Sequence, residues 1–504
     1  MSCAAWLAAR CWRTGARLRE RRRRSQRPRG HGGLALALAV SVTSLGLDVS
    51  AAEAGGERRA GNDASPAPDA RNPELTQLAI RRTRLDNGLR VVLHRDTSLP
   101  TVAICVTYDV GLRNEGPEQR GFVQLLERLM FQGSRNVAAD EHARWIREHG
   151  GRYSSQTTSD RTQFLDLLPS HALALGLWLE ADRMKSLELS GAAWERQQGS
   201  LRAQAEQQKR DPRALGEREL RALVFQDLPA YAHDLLDGFS ELVEPAPATS
   251  AKQPRVPSAQ LEAQRLRDFY RQRYAANNAI LTLAGDFELL EALNLIHIYF
   301  ADAPSASLPP APGSSLPEQT EPRSTTLEGP PALWQGWAIP AKHTPDHYAL
   351  ELAAVILGTG TSSRLYQALV AEKTLAQAVA VWTEDQRGPD LFGVQASLLE
   401  STDPELVSRL IQSQISSLGR FGPTALELER AQNQLRSRWL RGLDGNRARA
   451  LAFADAELFT HDARLLETDF ERYRQISRED VQRAVARYLR SAVRNSVLMR
   501  PRSP

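Results

Sequence analysis

Side chains that could bind a metal or carry acid–base chemistry are spread thinly along this chain. His142, His149 and His171 are separated by seven and 22 residues, and no carboxylate–histidine motif accompanies them. Other histidines that could serve as ligands are equally dispersed, at His297, His343, His347 and His461. Cys105 lies in an apolar run, which is typical of a buried small hydrophobe. These spacings do not predict a metal centre.

The segment Gly121–Gln132 (GFVQLLERLMFQ) has the apolar periodicity of a helix and carries three polar side chains inside its apolar frame. Gln124 and Arg128 are four residues apart and therefore share one helix face. An amide is at best a weak neutral ligand, and a guanidinium is permanently protonated and has no lone pair to donate. Of the three side chains, only Glu127 could act as a general base.

Four segments with motif-like composition follow one another along the chain: Leu85–Leu93 (LDNGLRVVL), Val110–Glu115 (VGLRNE), Gly121–Ser134 (GFVQLLERLMFQGS) and Leu357–Tyr366 (LGTGTSSRLY). In the same order, they are similar to the opening strand, the G-S-R-x-E loop, the H-x-x-E-H helix and the Gly-rich turn of the pitrilysin (M16) family of zinc peptidases. The resemblance extends from about residue 78 to residue 498. The chain therefore resembles a bacterial two-domain member of that family.

The family pattern implies that H-x-x-E-H supplies two zinc ligands and a general base, and that a glutamate further along supplies the third ligand. In this chain the ligand positions fall on Gln124, Arg128 and Gln204, and only the base position, Glu127, is retained. Glu206 is two residues from Gln204, so it would point to a different helix face. Zinc lowers the pKa of bound water to about 7, and its loss removes the hydroxide that hydrolysis needs. The resemblance thus implies a non-catalytic member without a cofactor; the alternative is an active zinc metalloendopeptidase with non-standard ligands.

Two further features of the family concern peptide binding. Active members carry an Arg and a Tyr in the second half that hold the substrate backbone, but the corresponding positions here are Val370 and Gln377. The edge strand that pairs with substrate corresponds to Ser154, Ser155, Gln156 and Thr157. Main-chain pairing needs no particular side chain, so this strand could bind a peptide without cleaving it. The alternative is an ordinary edge strand that a neighbouring segment covers.

The order of strand-like and helix-like segments predicts an α+β protein with two similar halves. Each half opens with apolar strand-like runs and continues with amphipathic helices and short strands. A Pro-rich stretch at residues 303–331 is expected to link domains at 76–302 and 332–504. The resemblance implies that each domain is an α/β sandwich in which a largely antiparallel sheet packs against helices.

The first 75 residues differ in composition from the rest of the chain. Residues 1–51 contain ten arginines, then an apolar run and small residues at a cleavage position, which is the layout of a secretory signal peptide. Residues 52–75 are rich in Ala, Gly, Pro and charged residues, as in a disordered leader. The net charge of +4 therefore resides in the signal, and the mature chain has no basic footprint for nucleic acid. We expect an exported, periplasmic protein, or one held by an uncleaved N-terminal anchor.

The resemblance also implies a partner. Family chambers are built from four such domains, so a two-domain chain is expected to expose the inner faces of its sheets unless a second chain covers them. The chain could then be the non-catalytic subunit of a heterodimeric metallopeptidase, paired with a catalytic homologue or with a second copy of itself. It could instead be a stand-alone protein that binds extended peptides or acts as a scaffold.

Overall fold

Two mixed β-sheets, one from each half of the chain, organise the fold. The computed structural model describes residues 78–189, 191–234, 259–313 and 315–502, so the predicted signal peptide and leader lie outside the described residues. The first sheet has the spatial order β1-β2-β6-β3-β5-β4. Its strands are β1 (Ile80–Arg84), β2 (Arg90–Arg95), β3 (Thr101–Tyr108), β4 (Arg152–Thr157), β5 (Thr162–Pro169) and β6 (Ala279–Gly285).

The second sheet repeats this arrangement without the first edge strand. Its strands are β7 (Arg323–Glu328), β8 (Ala332–Ile339), β9 (Ala376–Thr383), β10 (Asp390–Leu398) and β11 (Asn495–Arg500). The order β7-β11-β8-β10-β9 matches β2-β6-β3-β5-β4. The pairs β7–β11 and β2–β6 are parallel. The pairs that follow in the two matched orders are all antiparallel. The expectation of two similar α/β-sandwich halves is confirmed.

Helices fill the connections of both halves. In the first half they are α1 (Phe122–Leu129), α2 (Glu141–Glu148), α3 (Leu173–Ser186), α4 (Gly191–Gln208), α5 (Pro212–Val224), α6 (Ala259–Arg273) and α7 (Leu289–Phe300). In the second half they are α8 (Pro345–Gly358), α9 (Pro404–Phe421), α10 (Ala425–Arg441), α11 (Gly445–Thr460), α12 (Leu466–Gln475) and α13 (Arg478–Tyr488). The described residues also form short α-helices at Pro229–Ala232 and Arg364–Tyr366. None of the helices that the structure describes is long and apolar enough to cross a membrane.

Strand β3 is buried on both faces, which explains its unbroken apolar sequence TVAICVTY. Val102 and Ile104 face the larger core, where they pack with α1 and α3. Ala103 and Cys105 face the opposite side, where they pack against a helix from the second half, α11. The small residues Ala450 and Ala454 on α11 allow that helix to lie close to the sheet.

The second sheet receives a helix from the first half in return. Leu220 and Val224 of α5 pack with Trp334 of β8 in a separate buried cluster. A Cβ atom on Gly216 would lie 2.5 Å from the Trp334 ring, so this helix position has room only for glycine. Each sheet therefore has its inner face covered by a helix of the other half. The expectation that these faces stay exposed until a second chain covers them is wrong.

The connection between the halves is shorter and better anchored than its proline content indicated. Arg323–Glu328, inside the predicted linker 303–331, is strand β7 and pairs in parallel with β11. The flanking prolines and serines obscured an alternating strand pattern, RSTTLE. At the other end, the Asn87 side chain donates to the carbonyls of Phe300 and Ala303, at 2.7 and 3.0 Å. Both ends of the predicted linker are thus part of the folded structure.

Candidate functional site

Helix α1, which carries the candidate site, is held at its N-terminus by a buried carboxylate. Glu115 accepts hydrogen bonds from the backbone N–H groups of Gly121 (3.0 Å) and Val123 (2.8 Å). These donors have no partner within the helix, and negative charge at a helix N-terminus is favourable. The loop that resembles G-S-R-x-E therefore serves to fix the start of α1.

His233 reinforces this anchor as a buried imidazolium. Its Nδ1 atom is 3.1 Å from the Pro229 carbonyl oxygen, and its Nε2 atom is 3.0 Å from the Leu112 carbonyl oxygen. Both nitrogens must donate to satisfy two carbonyl acceptors, so the ring is protonated. Burial lowers the pKa of His233, but the hydrogen bond to Glu115 and its charge outweigh burial and raise the pKa. A cation thus balances the buried Glu115 carboxylate.

The same loop is clamped to the turn that joins β4 and β5. A Cβ atom on Gly111 would lie 2.4 Å from the Ser159 carbonyl oxygen, so the two backbones can meet only at glycine. The buried Arg113 side chain lies between Asp109, at 2.7 Å, and Asp160, at 3.1 Å. These contacts fix α1 relative to β4, the predicted peptide-binding strand.

Two of the three predicted ligand positions meet directly. An Nη2 hydrogen of Arg128 on α1 is donated to Oε1 of Gln204 on α4, a residue 76 positions later. Gln124 lies one helical turn before Arg128 and is 8% exposed. No residue in the described part of the chain donates to its Oε1 atom. The side-chain contact between Arg128 and Gln204 joins the two helices that, in the family pattern, share a zinc ion.

These side chains do not fit zinc. Structural and catalytic zinc sites use lone pairs of thiolate, imidazole or carboxylate groups. Gln124 and Gln204 offer neutral amides, and Arg128 offers a fixed positive charge that repels Zn²⁺. Glu206 does not compensate, because its side chain is 64% exposed and pairs with Lys209 at 3.0 Å on the helix surface. No step of a zinc mechanism can be derived for these residues.

Glu127, the retained base position, is bonded to the edge strand. The Ser155 hydroxyl of β4 donates to Glu127 Oε1 at 2.7 Å. Strand β4 pairs with β5 on one side only and ends the first sheet. Along it, Gln156 is exposed, Ser154 and Ser155 are half-buried, and Thr157 is buried. The predicted binding strand and the retained carboxylate therefore form one continuous surface.

The structure does not bring the two second-half positions to this surface as backbone-holding groups. Val370 packs against the core of the second half. Gln377 is exposed near the start of the edge strand β9. Neither side chain has the guanidinium or phenol that the family pattern uses at these positions.

A buried polar group that the sequence spacing missed lies behind α1. His142 Nε2 is 3.1 Å from Asp166 Oδ2, and Glu180 lies beside them, with one ligand atom of each within 4.8 Å of the others. In the described ranges this is the one group of three such residues that could hold a metal. Arg183 already pairs with Glu180 through three hydrogen bonds, at 3.0, 2.5 and 2.5 Å. Burial raises the pKa of Asp166 to about 6 and that of Glu180 to about 7, and the charge of Arg183 opposes both shifts.

His347 forms a comparable buried group in the second half. Its Nε2 atom is 2.7 Å from Asp390 Oδ2, and its Nδ1 atom is 3.6 Å from Glu351 Oε2. Burial lowers the pKa of His347, but the hydrogen bond to Asp390 and the negative charges of Asp390 and Glu351 outweigh burial and raise the pKa to about 9. The ring is completely buried, so it joins α8 to β10 and is closed to solvent ligands.

A cavity of about 930 Å³ lies between the two halves, away from the ligand positions. Lys342, Asp385 and Asp455 contribute charged groups to it, and Trp382 and Trp439 contribute aromatic surface. Gln156 is the one residue of the predicted binding strand that lines it. The cavity therefore borders β4 at Gln156, and Glu127, Arg128 and Gln204 are not among the residues that line it.

The fold is that of a two-domain zinc-peptidase scaffold, and its predicted metal-ligand positions carry amides and a guanidinium. Models of the M16 peptidases match both halves: "Insulinase (Peptidase family M16)" at residues 90–234 and "Peptidase M16 inactive domain" at residues 260–435. The chain belongs to the M16 peptidase family.

Relatives and solved structures agree with this assignment. An "uncharacterized zinc protease" of Streptomyces coelicolor is 24% identical over 425 residues, which is 81% of this chain and 86% of the relative. The crystal structure of a protease from Helicobacter pylori has a TM-score of 0.74 at 20% identity, covering 84% of this chain and 99% of that one. A peptidase M16 inactive domain from Pseudomonas fluorescens has a TM-score of 0.72 at 18% identity, covering 84% and 98%. At these identities the two structures establish the fold alone.

Proposed function

We propose that this chain is a catalytically inactive M16 homologue that binds extended peptides along β4 without cleaving them. The observation that carries the proposal is the replacement of all three ligand positions, with Arg128 bonded to Gln204 where the family pattern has a metal. Without zinc, water keeps its ordinary pKa, and a lone carboxylate at Glu127 has no activated nucleophile to deprotonate. Glu127 instead acts as an acceptor for Ser155.

Peptide binding is the part of the family's activity that survives the loss of metal. No strand of the described residues pairs with the outer edge of β4, and an added strand would satisfy the backbone N–H and C=O groups there by main-chain hydrogen bonds. Serine and glutamine side chains on β4 are small or polar and do not block that edge. Peptide binding of this kind therefore depends on backbone geometry, and the loss of metal ligands does not weaken it.

The test uses two peptides of one sequence, N-methylated at alternate positions. An added strand points every second N–H towards β4, so one methylated peptide should bind as well as the unmodified peptide and the other should not bind. Isothermal titration calorimetry with the full chain measures both. Equal binding of the two methylated peptides would contradict strand addition, and binding of none of the three would contradict peptide binding altogether.

Metal analysis separates this proposal from the alternative of an active zinc metalloendopeptidase with non-standard ligands. We expect the purified chain to contain less than about 0.1 zinc per molecule, since amides and a guanidinium are poor ligands. Stoichiometric zinc that is lost in Gln124→Ala or Glu206→Ala would support the alternative instead. A peptidase assay on the same samples, with and without added zinc, completes the comparison.

We further propose that the chain is exported and works as the non-catalytic subunit beside a catalytic M16 homologue. The signal-like N-terminal segment supports export, and the family pattern of four-domain chambers supports a partner. Because the sheet faces are already covered by exchanged helices, a partner would contact edges and outer surfaces. Co-purification of an M16 chain with intact H-x-x-E-H is the expected result, and a stable monomer that retains no partner would contradict it.

A further inference from the structure

The three substituted ligand positions share a chemical property beyond their failure to bind zinc. A zinc site presents lone pairs to a cation. Arg128 presents N–H donors with a full positive charge, and the amides of Gln124 and Gln204 each carry an NH₂ group. The substitutions have therefore replaced a set of acceptors by a set of donors on the same helix faces.

The hydrogen bonds of these side chains leave donors free. Gln204 accepts from Arg128 through its Oε1 atom, and its NH₂ group donates to none of the described residues. Arg128 is half-buried, and no carboxylate of the described residues lies within ion-pair distance of it. Gln124 is nine-tenths buried, and its NH₂ group makes no hydrogen bond to the described residues; its unpaired Oε1 atom is an acceptor and must face away from a bound anion. A half-buried guanidinium without a carboxylate, flanked by amides, is a typical recognition site for a planar anion.

We infer that Arg128, together with the amides of Gln124 and Gln204, binds the carboxylate of an extended peptide that pairs with β4. This inference rests on the proposed peptide-binding function and specifies the ligand at that same surface. The peptide's C-terminus is the favoured source of the carboxylate, because it continues the main chain that pairs with β4 and needs no particular side chain. The site that holds a cation in the family pattern thus holds an anion here.

The neighbouring carboxylate limits where the ligand can lie. Glu127 would repel an anion, but its Oε1 atom accepts from Ser155 and is turned towards β4. The ligand carboxylate must therefore lie on the side of Arg128 that faces Gln204 on α4. If Arg128 only joined α1 to α4, no ligand would be required. A cross-linking role and a carboxylate-binding role therefore predict different peptide affinities.

The test compares three peptides of about nine residues, rich in Thr and Val so that they pair readily as strands. One has a free C-terminal carboxylate, one ends in an amide, and one ends in an amide but carries a glutamate near its end. Calorimetric titration of the full chain should show the acid peptide binding about tenfold or more tightly than the plain amide, as expected for a charge-assisted bidentate contact.

Matched variants separate a binding role from a structural one. Arg128→Met removes the charge, and Gln204→Glu neutralises it with a new ion pair that keeps α1 and α4 joined. In both variants, the affinity for the acid peptide should fall to that for the amide peptide. The affinity for the amide peptide should be the same as in the parent. Arg135→Met is the control, because Arg135 is an exposed residue of the same half that makes no ion pair in the described ranges, and it should bind as the parent does.

Each outcome decides between the proposals. Equal binding of acid and amide peptides by the parent, or a preference that persists in both variants, overturns the carboxylate site and leaves peptide binding intact. Failure of every peptide to bind overturns the peptide-binding function together with the site. Tight binding of the amide peptide that contains glutamate supports the site and assigns a side chain as the source of its carboxylate.

Discussion

Arg128 and Gln204 meet across helices α1 and α4, 76 residues apart in sequence, through a direct side-chain hydrogen bond. In the family pattern the same two positions meet through a zinc ion. By this predicted correspondence, the frame of two helices is the same, and an amide and a guanidinium make the contact in place of a metal. Several properties of the protein depend on this retained frame.

Restoring the ligand set should restore metal binding. In the triple variant Gln124→His, Arg128→His and Gln204→Glu, two imidazoles and a carboxylate replace the amides and the guanidinium on unchanged helices. We expect the triple variant to retain about one zinc per chain after dialysis, against none for the parent, as measured by mass spectrometry of metals. The matched control, the same two histidines with Gln204→Ala, should bind weakly. A triple variant that folds but remains metal-free would show that α1 and α4 are not placed as described.

Glu115 should be the most sensitive polar residue of the α1 anchor. Its side chain is completely buried and caps two backbone N–H groups beside His233. Glu115→Ala leaves these donors and a buried imidazolium unpaired, so we expect the free energy of unfolding to fall by about 3 kcal/mol. In Glu115→Gln the free energy of unfolding should fall by less, because the amide oxygen still accepts hydrogen bonds. Urea denaturation measures both, and Glu206→Ala, which removes an exposed pair with Lys209, should stay within about 0.5 kcal/mol of the parent.

Two helical glycines should respond to alanine with opposite signs. Gly216→Ala places a methyl group against the Trp334 ring and pushes α5 from the second sheet, so we expect a loss of about 1–3 kcal/mol. At Gly199 nothing lies within 4 Å of the added Cβ, so Gly199→Ala should gain about 0.5–1 kcal/mol from helix propensity. Denaturation of both variants under one set of conditions tests the packing. A neutral Gly216→Ala would argue against close contact between α5 and β8.

His347 should make stability depend on alkaline pH. Its folded-state pKa is raised to about 9, above the ordinary value of 6.5, so its contribution is complete below pH 6.5 and is lost as pH rises through about 9. In His347→Gln this contribution is absent, so the difference in unfolding free energy between parent and variant should shrink from pH 6 to pH 10. A difference that is constant with pH would show that the ring is not charged in the folded protein.

Local sequence was a good guide to the parts of the site that lie on one helix or at a fixed spacing. Gln124, Glu127 and Arg128 could be placed together because a helix repeats every few residues. Gln204 could be found only by counting along a family pattern, and the structure puts it against Arg128. The partners of His142, by contrast, lie 24 and 38 residues further on, at Asp166 and Glu180, on a strand and a helix that no local period relates.

The packing of one half against the other was beyond sequence reasoning for a similar reason. Helix α11 has alanines towards the first sheet, and a helix of small residues gives no signal for the surface that it covers. The sequence predicts a linker where strand β7 lies, because prolines surround the strand. In both cases the deciding contacts are made with residues more than 100 positions away, which periodicity does not record.

Helix α11 of the second half covers the first sheet, and helix α5 of the first half covers the second sheet. These contacts hold the two halves together independently of the covalent connection between them. A first half made alone would lack α11 and expose the sheet face around Cys105, and a second half made alone would expose Trp334. Ion pairs between Arg82 and Glu457 and between Arg161 and Asp455 add to this lock. Two fragments divided between residues 306 and 322 should therefore be insoluble when expressed separately. When the two fragments are expressed together, they should form one soluble complex that has the fold of the intact chain.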